Sequence, residues 1–451
     1  MKVDLDIEAM ADFLRRTETI AVTGRVTQVI GTIIEGQVPD CSIGRLCDIV
    51  ASPFDPPVKA EVVGFRQDKA LMMPLGEMQG LKPGAHIRSA KSSPTIRVGD
   101  HLLGRVIDGL GEPLDGAPLL GGQIEYPLYA EPLNPFQRQR ITQPLDLGVR
   151  AINGLLTCGI GQRIGIMSGS GVGKSTLLGM MARYTSADVT VIGLVGERGR
   201  ELRDFLERDL GAEGMRRSVV VAATSDTSPL VRVRAAFLAT AIAEFFRDTG
   251  ANVLLMMDSV TRFAMAQRQV GLAIGEPPTT KGYTPSCFAL LPKLLERAGQ
   301  ADEKRGSITG LYTVLVEGDD MNEPIADTVR SILDGHIVLS RELAQQRHYP
   351  AIDVLASVSR LMPDIASAEQ QGFAARFVSL LSAYRKAETL INIGAYSKGS
   401  NAEIDMAIAM IGRLNNYLKQ PIDQRCAYGE SLDQLKALMS APEAVRPAGR
   451  G

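Results

Sequence analysis

A glycine-rich stretch at residues 168–176, SGSGVGKST, has the residue types and the spacing of a phosphate-binding loop. It lies between an apolar strand pattern and an amphipathic helix pattern, which is the context such a loop requires. Its glycines allow tight backbone turns that point N–H groups at phosphate oxygens, and the helix beginning near Lys174 adds its positive dipole end. We expect Lys174 to reach the terminal phosphates and Ser175 to hold Mg²⁺ through its hydroxyl. The predicted nucleotide-binding residues of the loop are Gly169, Ser170, Gly171, Val172, Gly173, Lys174, Ser175 and Thr176.

Ser168 stands where the pattern G-x-x-x-x-G-K-[ST] has its first glycine. A serine is acceptable at that position if its φ is negative, and it leaves the later N–H donors intact. The alternative, a glycine-rich turn with a chance lysine, is disfavoured by the flanking strand and helix patterns.

Two carboxylates follow apolar strand patterns and are the candidates for binding magnesium and water. ANVLLMM (251–257) ends at Asp258, and ligands bind at the carboxyl ends of parallel strands. Asp258 is expected to accept a hydrogen bond from Ser175 or from a water on Mg²⁺, so these two residues form the predicted metal site. Glu197, after VTVIGLV, is expected to orient the attacking water and accept its proton late, because an ordinary carboxylate is a poor base unless desolvated. The structural alternatives are an aspartate that starts a turn and a solvated charged turn at 196–201.

An aromatic ring and two arginines complete the candidate constellation. HYPAIDVLASVSR (348–360) contains Tyr349, whose face can stack on a base, and Arg360, which can neutralise charge on a transferred phosphoryl group. Arg262, four residues after Asp258, is a second charge-stabilising candidate. Taken singly, Tyr349 is more often a core or interface aromatic and Arg360 more often a surface ion-pair partner. Their combination with the loop favours the functional interpretation.

The elements that must position these side chains can be predicted from hydrophobic periodicity. Residues 20–90 alternate apolar and polar with Gly/Pro turns, which predicts a small β-barrel or sandwich. Residues 95–150 are rich in turn signals and indicate a connector. Six apolar strands then alternate with helical patterns, which predicts a largely parallel sheet with helices on both faces. They are RIGIM, DVTVIGLVG, SVVVAAT, ANVLLMMD, ITGLYTVL and HIVLS.

The region after residue 366 has helical patterns and no strand pattern. Three serines with Glu or Gln three residues later predict capping boxes at helix starts: Ser367, Ser400 and Ser431. A helix is also expected within residues 5–16, either packed on the barrel or free to bind a partner helix or a membrane-associated stator. The last residues, 441–451, are expected to form a disordered tail.

Composition excludes several classes of protein. With 451 residues, 45% hydrophobic content and a formal charge of -2, the chain is expected to form two or three globular domains without a nucleic-acid-binding tail. Its five scattered cysteines have no metal or disulfide spacing, and its four histidines have no metal spacing, which favours a reducing cytosol. The N-terminus is acidic where a signal peptide is basic, and no apolar run approaches ~18 residues. A cytoplasmic protein with only peripheral membrane contact is therefore expected.

Several long blocks resemble one protein family. PAIDVLASVS (350–359) and LGRVIDGLGEPLDG (103–116) are similar to segments of the α and β subunits of rotary ATP synthases. GSGVGKSTLLGMMARY, GERGRELRDFLERDLG and MMDSVTRFAMAQRQVGLAIGEPP resemble more closely the type III secretion ATPases, both flagellar and injectisome. The likeness runs from about residue 20 to residue 440, and the blocks occur in the same order.

The resemblance implies an α/β fold: a RecA-like P-loop ATPase core with an N-terminal β-barrel and a C-terminal α-helical domain. We place the oligomerisation barrel with its N-terminal helix at 1–92, the ATPase domain at 93–365 and the helical domain with its tail at 366–451. The resemblance further implies that Glu197 is the catalytic glutamate, with Arg198 beside it, and that Tyr349 stacks on adenine. Arg360 would be an arginine finger supplied across a subunit interface.

The implied activity is hydrolysis of ATP with Mg²⁺ by a homohexameric ring that energises type III protein secretion. The ring would release chaperones and would unfold and export effectors through an injectisome, at the cytoplasmic face of the bacterial inner membrane. Its implied partners are stator-like and central-stalk proteins, the export gate, chaperone–effector complexes and the membrane surface. A flagellar export ATPase is the nearest alternative, because both branches share most of these blocks.

Two rival functions are disfavoured by particular residues. A hexameric RNA-dependent helicase needs aromatic platforms and a basic groove in its N-terminal domain. Residues 1–90 have no Tyr or Trp, and their 10 Lys/Arg against 12 Asp/Glu would repel a phosphate backbone, so no nucleic-acid partner is expected. A non-catalytic nucleotide-binding scaffold is disfavoured by Glu197.

Overall fold

The structure, a computed structural model, describes residues 23–52, 54–90, 94–119, 121–122 and 124–440. The predicted N-terminal helix and C-terminal tail lie outside these residues. The described chain forms two compact units, one comprising the residues up to 95 together with 270–276 and the other comprising 96–269 and the residues from 277 onward. None of the described helices is both long and apolar enough to cross a membrane.

The first unit contains a closed six-stranded barrel with the order β1-β2-β5-β4-β3-β6. Every neighbouring pair is antiparallel. Alternate residues of the strands point inward, so Val26, Ile49 and Ile87 are buried while their neighbours face water. This confirms the predicted barrel. Its strands are β1 (Thr23–Ile30), β2 (Ile33–Gln37), β3 (Leu46–Val50), β4 (Val58–Arg66), β5 (Lys69–Pro74) and β6 (His86–Ser89).

The second unit is built on a nine-stranded sheet with the order β17-β16-β10-β15-β13-β11-β12-β8, in which β14 also pairs with β15. The sheet is parallel except for β14 and β17, which run antiparallel to their partners. Its central strands are buried on both faces, which explains their continuous apolar sequences. β7 pairs with β9 in a separate ribbon. The strands are β7 (Thr95–Val98), β8 (Val106–Asp108), β9 (Ile124–Pro127), β10 (Arg163–Ser168), β11 (Val189–Val195), β12 (Ser218–Ala223), β13 (Asn252–Asp258), β14 (Gly299–Gln300), β15 (Ser307–Leu315), β16 (Gly335–Leu339) and β17 (Ile352–Ser359).

Helices alternate with these strands and then continue alone to residue 440. A π-helix, Phe205–Leu210, joins α3 to α4. The α-helices are α1 (Arg150–Leu155), α2 (Lys174–Tyr184), α3 (Gly199–Asp204), α4 (Gly211–Arg216), α5 (Pro229–Asp248), α6 (Val260–Ile274), α7 (Pro285–Leu295), α8 (Pro324–Ile332), α9 (Arg341–Gln345), α10 (Met362–Ile365), α11 (Ala368–Asn392), α12 (Ala402–Leu418) and α13 (Tyr428–Ser440).

The last three helices share one apolar cluster with α1, in which Phe377 and Leu414 join Ile152. They therefore belong to the same compact unit as the sheet. The boundaries at residues 92 and 365 stay predictions.

One of the three predicted helix caps is present and two are wrong. Ser367 caps α11 by accepting a hydrogen bond from the Gln370 N–H at 3.2 Å. At α12 the cap is Asn401, because the Ser400 hydroxyl donates instead to the Ser397 carbonyl at 2.7 Å. α13 begins at Tyr428, so Ser431 lies inside the helix and donates to the Ala427 carbonyl at 2.9 Å.

Candidate active site

The phosphate-binding loop has the predicted position between β10 and α2. Gly171 and Gly173 adopt φ angles of 76° and 88°, the left-handed region that favours glycine. Gly173 directly precedes the first residue of α2, Lys174. Ser168 is the last residue of β10, paired with Leu315 in strand register, so its extended backbone accepts a side chain. The serine is therefore compatible with an intact loop.

The two candidate carboxylates meet beside this loop because their strands are neighbours. β11 and β13 pair in parallel with Leu194 opposite Asp258, and Glu197 follows β11 by two residues. The Lys174 ammonium contacts Asp258 Oδ1 and lies 3.9 Å from Glu197 Oε1. Asp258 also accepts a hydrogen bond from the Thr313 hydroxyl at 2.7 Å. The role of Asp258 toward magnesium stays a prediction.

Glu197 is largely buried and lies close to charges of both signs. Burial raises its pKa to about 7, and the neighbouring Asp258 carboxylate adds to the rise. Lys174 opposes it, and so does Arg262, whose Nε lies 3.3 Å from Glu197 Oε1. A carboxyl group that titrates near neutral pH is suited to accept a proton from water, which an ordinary glutamate is not.

A cleft of about 710 Å³ opens over the loop and has the chemistry of a magnesium–nucleotide site. Its walls carry Lys174 and Arg262 as cations, and Ser175 and Thr176 present hydroxyl groups at the start of α2. A side chain at Gly171 would meet open space, so that part of the backbone is accessible to phosphate oxygens. No cluster of three metal-ligating side chains occurs in the described ranges. Mg²⁺ binds through one or two protein groups together with substrate phosphates, and Ser175 and Asp258 are the groups predicted to serve here.

The arginines beside Glu197 differ in their surroundings. Arg262 packs against Gly196 and pairs with Glu197, so it lies at the predicted reaction centre. Arg198 also lines the cleft, but its side chain is 77% exposed and lies 3.9 Å from Glu201. Their roles in the reaction stay predictions.

Tyr349 and Arg360 lie at opposite ends of one strand. The Tyr349 ring borders Gly173, with ring carbons 3.4–3.5 Å from where a side chain on that glycine would begin. β17 then runs antiparallel to β16, so Ser359 pairs with Gly335, and the Arg360 N–H donates to the Asp334 carbonyl at 3.0 Å. The Asp334 N–H in turn donates to the carbonyl of Arg163, the first residue of β10. At ~3.3 Å per residue, Arg163 lies about 16 Å from Ser168, where the strand ends and the loop begins.

Two polar side chains at the site were not predicted from the sequence. Thr313 on β15 holds Asp258 through its hydroxyl. Arg341, at the start of α9, donates from Nη1 to the Ser170 carbonyl of the loop at 3.4 Å. The signal available was position alone, because each residue lies near the carboxyl end of a strand that neighbours β10.

Comparisons with known proteins match nearly the whole chain. The model of the ATP synthase alpha/beta family nucleotide-binding domain matches residues 148–359, and that of the family's beta-barrel domain matches residues 26–90. The C-terminal domain model of the type III secretion ATPase EscN matches residues 366–437.

Relatives with two different names align over almost their full length. The chain is 53% identical to a flagellum-specific ATP synthase of Bacillus subtilis, covering 97% of this chain and 99% of the relative. It is 49% identical to a type 3 secretion system ATPase of Xanthomonas euvesicatoria, covering 94% and 96%. The solved structure of assembled EscN from enteropathogenic E. coli superposes with a TM-score of 0.87 at 48% identity, covering 92% of this chain and all of that one. The chain therefore belongs to the family of flagellar and type III secretion ATPases, which are ATP hydrolases of the ATP synthase alpha/beta family.

Proposed function

We propose that this ATPase works as a homohexameric ring whose sites are each completed by Arg360 of a neighbouring copy, and that hydrolysis drives export of unfolded proteins. The observation that carries the proposal is the position of Arg360. It is exposed at the end of the sheet opposite its own phosphate-binding loop, about 16 Å away, and an arginine side chain does not span that length. Repeating one such head-to-tail contact around an axis closes a ring.

The residues of the cleft support a single displacement reaction. Lys174 would hold the terminal phosphates and Ser175 the magnesium ion, with Asp258 acting on the ion directly or through water. Mg²⁺, when bound, would neutralise the charge that develops on the phosphate oxygens. Glu197 would orient a water whose oxygen bonds to the γ-phosphorus while the bond to the bridging oxygen of ADP breaks. The water's proton passes to Glu197, and the neighbour's Arg360 would stabilise the transferring group.

Subunit mixing tests this arrangement directly. Arg360→Ala and Lys174→Ala should each be nearly inactive, since each removes one half of every site. In a ring assembled from equal amounts of the two variants, about a quarter of the interfaces pair an intact loop with an intact neighbouring arginine. Recovery of about 25% of the wild-type rate per site is expected. If Arg360 worked within its own chain, mixing would restore nothing.

The partners are proposed from the same family. Relatives include an EscN assembly and a complex of EscN with its central stalk EscO. We expect this chain to contact a central-stalk protein, a stator-like protein, the export gate and chaperone–effector complexes at the cytoplasmic face of the inner membrane. Pull-down of each component by the wild-type hexamer, with Lys174→Ala as a nucleotide-free control, would test these contacts.

Two further blocks, LLTCGIGQRIGI (155–166) and EGDDMNEP (317–324), mildly favour the injectisome branch, which stays a prediction. A flagellum-specific relative at 53% identity supports the alternative as strongly as a secretion relative at 49% supports the injectisome. Complementation of two deletion strains, one lacking its flagellar export ATPase and one lacking its injectisome ATPase, would separate the branches by motility or effector secretion.

A further inference from the structure

We propose that Arg341 positions the phosphate-binding loop. Its guanidinium holds the Ser170 carbonyl on the outer side of the loop, and its ion pair with Asp319 neutralises a negative charge that would otherwise repel the bound triphosphate. The proposal rests on the ATPase site proposed above. It concerns binding of ATP, because Arg341 contacts the loop backbone, whereas the cations beside Glu197 are Lys174 and Arg262.

The sheet brings Arg341 to the loop. β16 is the parallel neighbour of β10, with Leu339 opposite Ser168. Both chains leave the sheet at the same level, so Arg341, two residues after Leu339, lies beside the first loop residues. Ser340 fixes this exit by accepting a hydrogen bond from the Leu343 N–H at 3.3 Å, which caps α9.

Arg341 bridges two segments with one guanidinium. Its Nη1 donates to the Ser170 carbonyl at 3.4 Å, and its Nε donates to Asp319 Oδ2 at 3.3 Å. Because the loop's N–H groups must face the phosphates, its carbonyls face outward, and Arg341 meets one of them there. The planar fork of arginine can serve both partners at once, whereas a lysine ammonium has no such fixed geometry.

Gly169 leaves the room that the ion pair occupies. A side chain on Gly169 would begin 2.6 Å from Arg341 Nη2 and 2.7 Å from Asp319 Oδ1, closer than atoms pack. This glycine has an ordinary backbone conformation, since its φ is not among the positive values. A side chain at position 169 would therefore have to displace the ends of this ion pair.

The charge balance explains why the pair matters for ATP. Arg341 and Asp319 are about half exposed. Arg341 borders the nucleotide cleft, and both residues line an adjoining cavity that reaches Ser168 and Gly169 at the start of the loop. A carboxylate there repels a polyanion unless a cation neutralises it. Removing Arg341 alone would leave the Asp319 carboxylate unpaired next to the first residues of the loop. That change should weaken ATP binding more than removing both charges does.

A double-mutant cycle tests the proposal, using ATP affinity from a fluorescent ATP analogue and steady-state KM and kcat on the assembled full-length protein. Arg341→Ala is expected to raise KM and the dissociation constant about tenfold with kcat within about twofold, the pattern of lost uniform binding. Asp319→Asn, which keeps the shape and tolerates the local φ of 58°, is expected to change KM little. The double variant should recover at least half of the loss on a logarithmic scale. Arg347→Ala, an exposed arginine six residues further on, is the matched control and should behave as wild type.

The outcomes separate this proposal from its rivals. A double variant as weak as Arg341→Ala would mean that Arg341 binds the phosphates directly, and would overturn the ion-pair role. An unchanged KM in Arg341→Ala would overturn any role in ATP binding. Loss of folding in Arg341→Ala would appear as a lower melting temperature than that of Arg347→Ala. In that case the KM of Arg341→Lys, which retains the charge, would test the role in ATP binding, and an unchanged KM would overturn the need for the arginine fork. Failure of the wild-type protein to bind the analogue would instead contradict the proposed ATPase site.

Discussion

The pKa of Glu197 makes a quantitative prediction about the pH dependence of ATP hydrolysis. The carboxylate form of Glu197 is the one that can accept a proton from water, so activity should be lost as the pH falls through the folded-state pKa of about 7. At one unit below that value about one eleventh of the molecules are ionised, and at one unit above it about ten elevenths are. We therefore expect kcat/KM to fall about tenfold between pH 8 and pH 6.

The cause of the shift can be tested by changing its neighbours. Arg262 favours the ionised form, so Arg262→Gln should move the midpoint of the kcat/KM profile to higher pH. Glu201 shares a hydrogen bond with Glu197 that raises the pKa, so Glu201→Gln should move the midpoint lower. The two shifts have opposite signs, which a general loss of structure would not produce.

The assay is phosphate release at saturating magnesium, measured from pH 5.5 to pH 9 at constant ionic strength. Glu197→Gln supplies the baseline, which is expected to be at least about 100-fold below wild type and flat with pH. A wild-type profile that is flat between pH 6 and pH 8 would refute the argument that burial of Glu197 tunes its proton affinity.

Three further predictions follow from single side chains. Arg360→Ala should reduce turnover about 10³-fold or more while leaving binding of a fluorescent ATP analogue intact, and near-full turnover in the assembled variant would exclude the arginine-finger role. Burial lowers the pKa of His348 to about 4, so the protein should lose about 1–2 kcal/mol of unfolding free energy between pH 6.5 and pH 5, a loss that urea titrations should find absent in His348→Gln. Asn401→Ala should cost about 1 kcal/mol by thermal or urea unfolding and Ser400→Ala a few tenths, and the reverse order would show that Ser400 is the cap of α12.

The features predicted from the sequence are those set by local pattern and by the edge at which all parallel strands end. Asp258 and Glu197 are found together because each follows an apolar strand, and the carboxyl ends of parallel strands share one edge. The partner of Asp258 was not predictable in the same way. Thr313 reaches it from β15, 55 residues away, and nothing local to either residue encodes that contact.

Arg341 illustrates the same limit at greater sequence distance. It is separated from Ser170 by 171 residues, and its sequence surroundings indicate only the start of a short helix. The contact exists because β16 lies beside β10 in the sheet, a strand order that hydrophobic periodicity does not specify. Once that order is known, a cation two residues past the end of β16 becomes a strong candidate for the site.

The predicted cap at Ser400 is wrong for a local reason. Ser400 and Asn401 are adjacent, and both residue types are good caps, so the pattern S-x-x-E favoured the serine. The choice is decided by competition, because the Ser400 hydroxyl already donates to Ser397 within the preceding turn. Asn401 is left to accept from both Glu403 and Ile404 at 2.9 Å and 3.2 Å.

The course of β17 connects ATP hydrolysis to assembly. The strand carries the chain from Tyr349, beside the phosphate-binding loop, to Arg360 at the far end of the sheet, and its pairing with β16 fixes that separation. If Arg360 is the finger, no rearrangement short of unpairing the strand can deliver it to its own site. Specific activity should then rise with protein concentration as the ring forms, and the low activity of Arg360→Ala should not. A wild-type rate per subunit that stays constant from isolated monomer to ring would contradict this account, since a single copy would then hold a complete site.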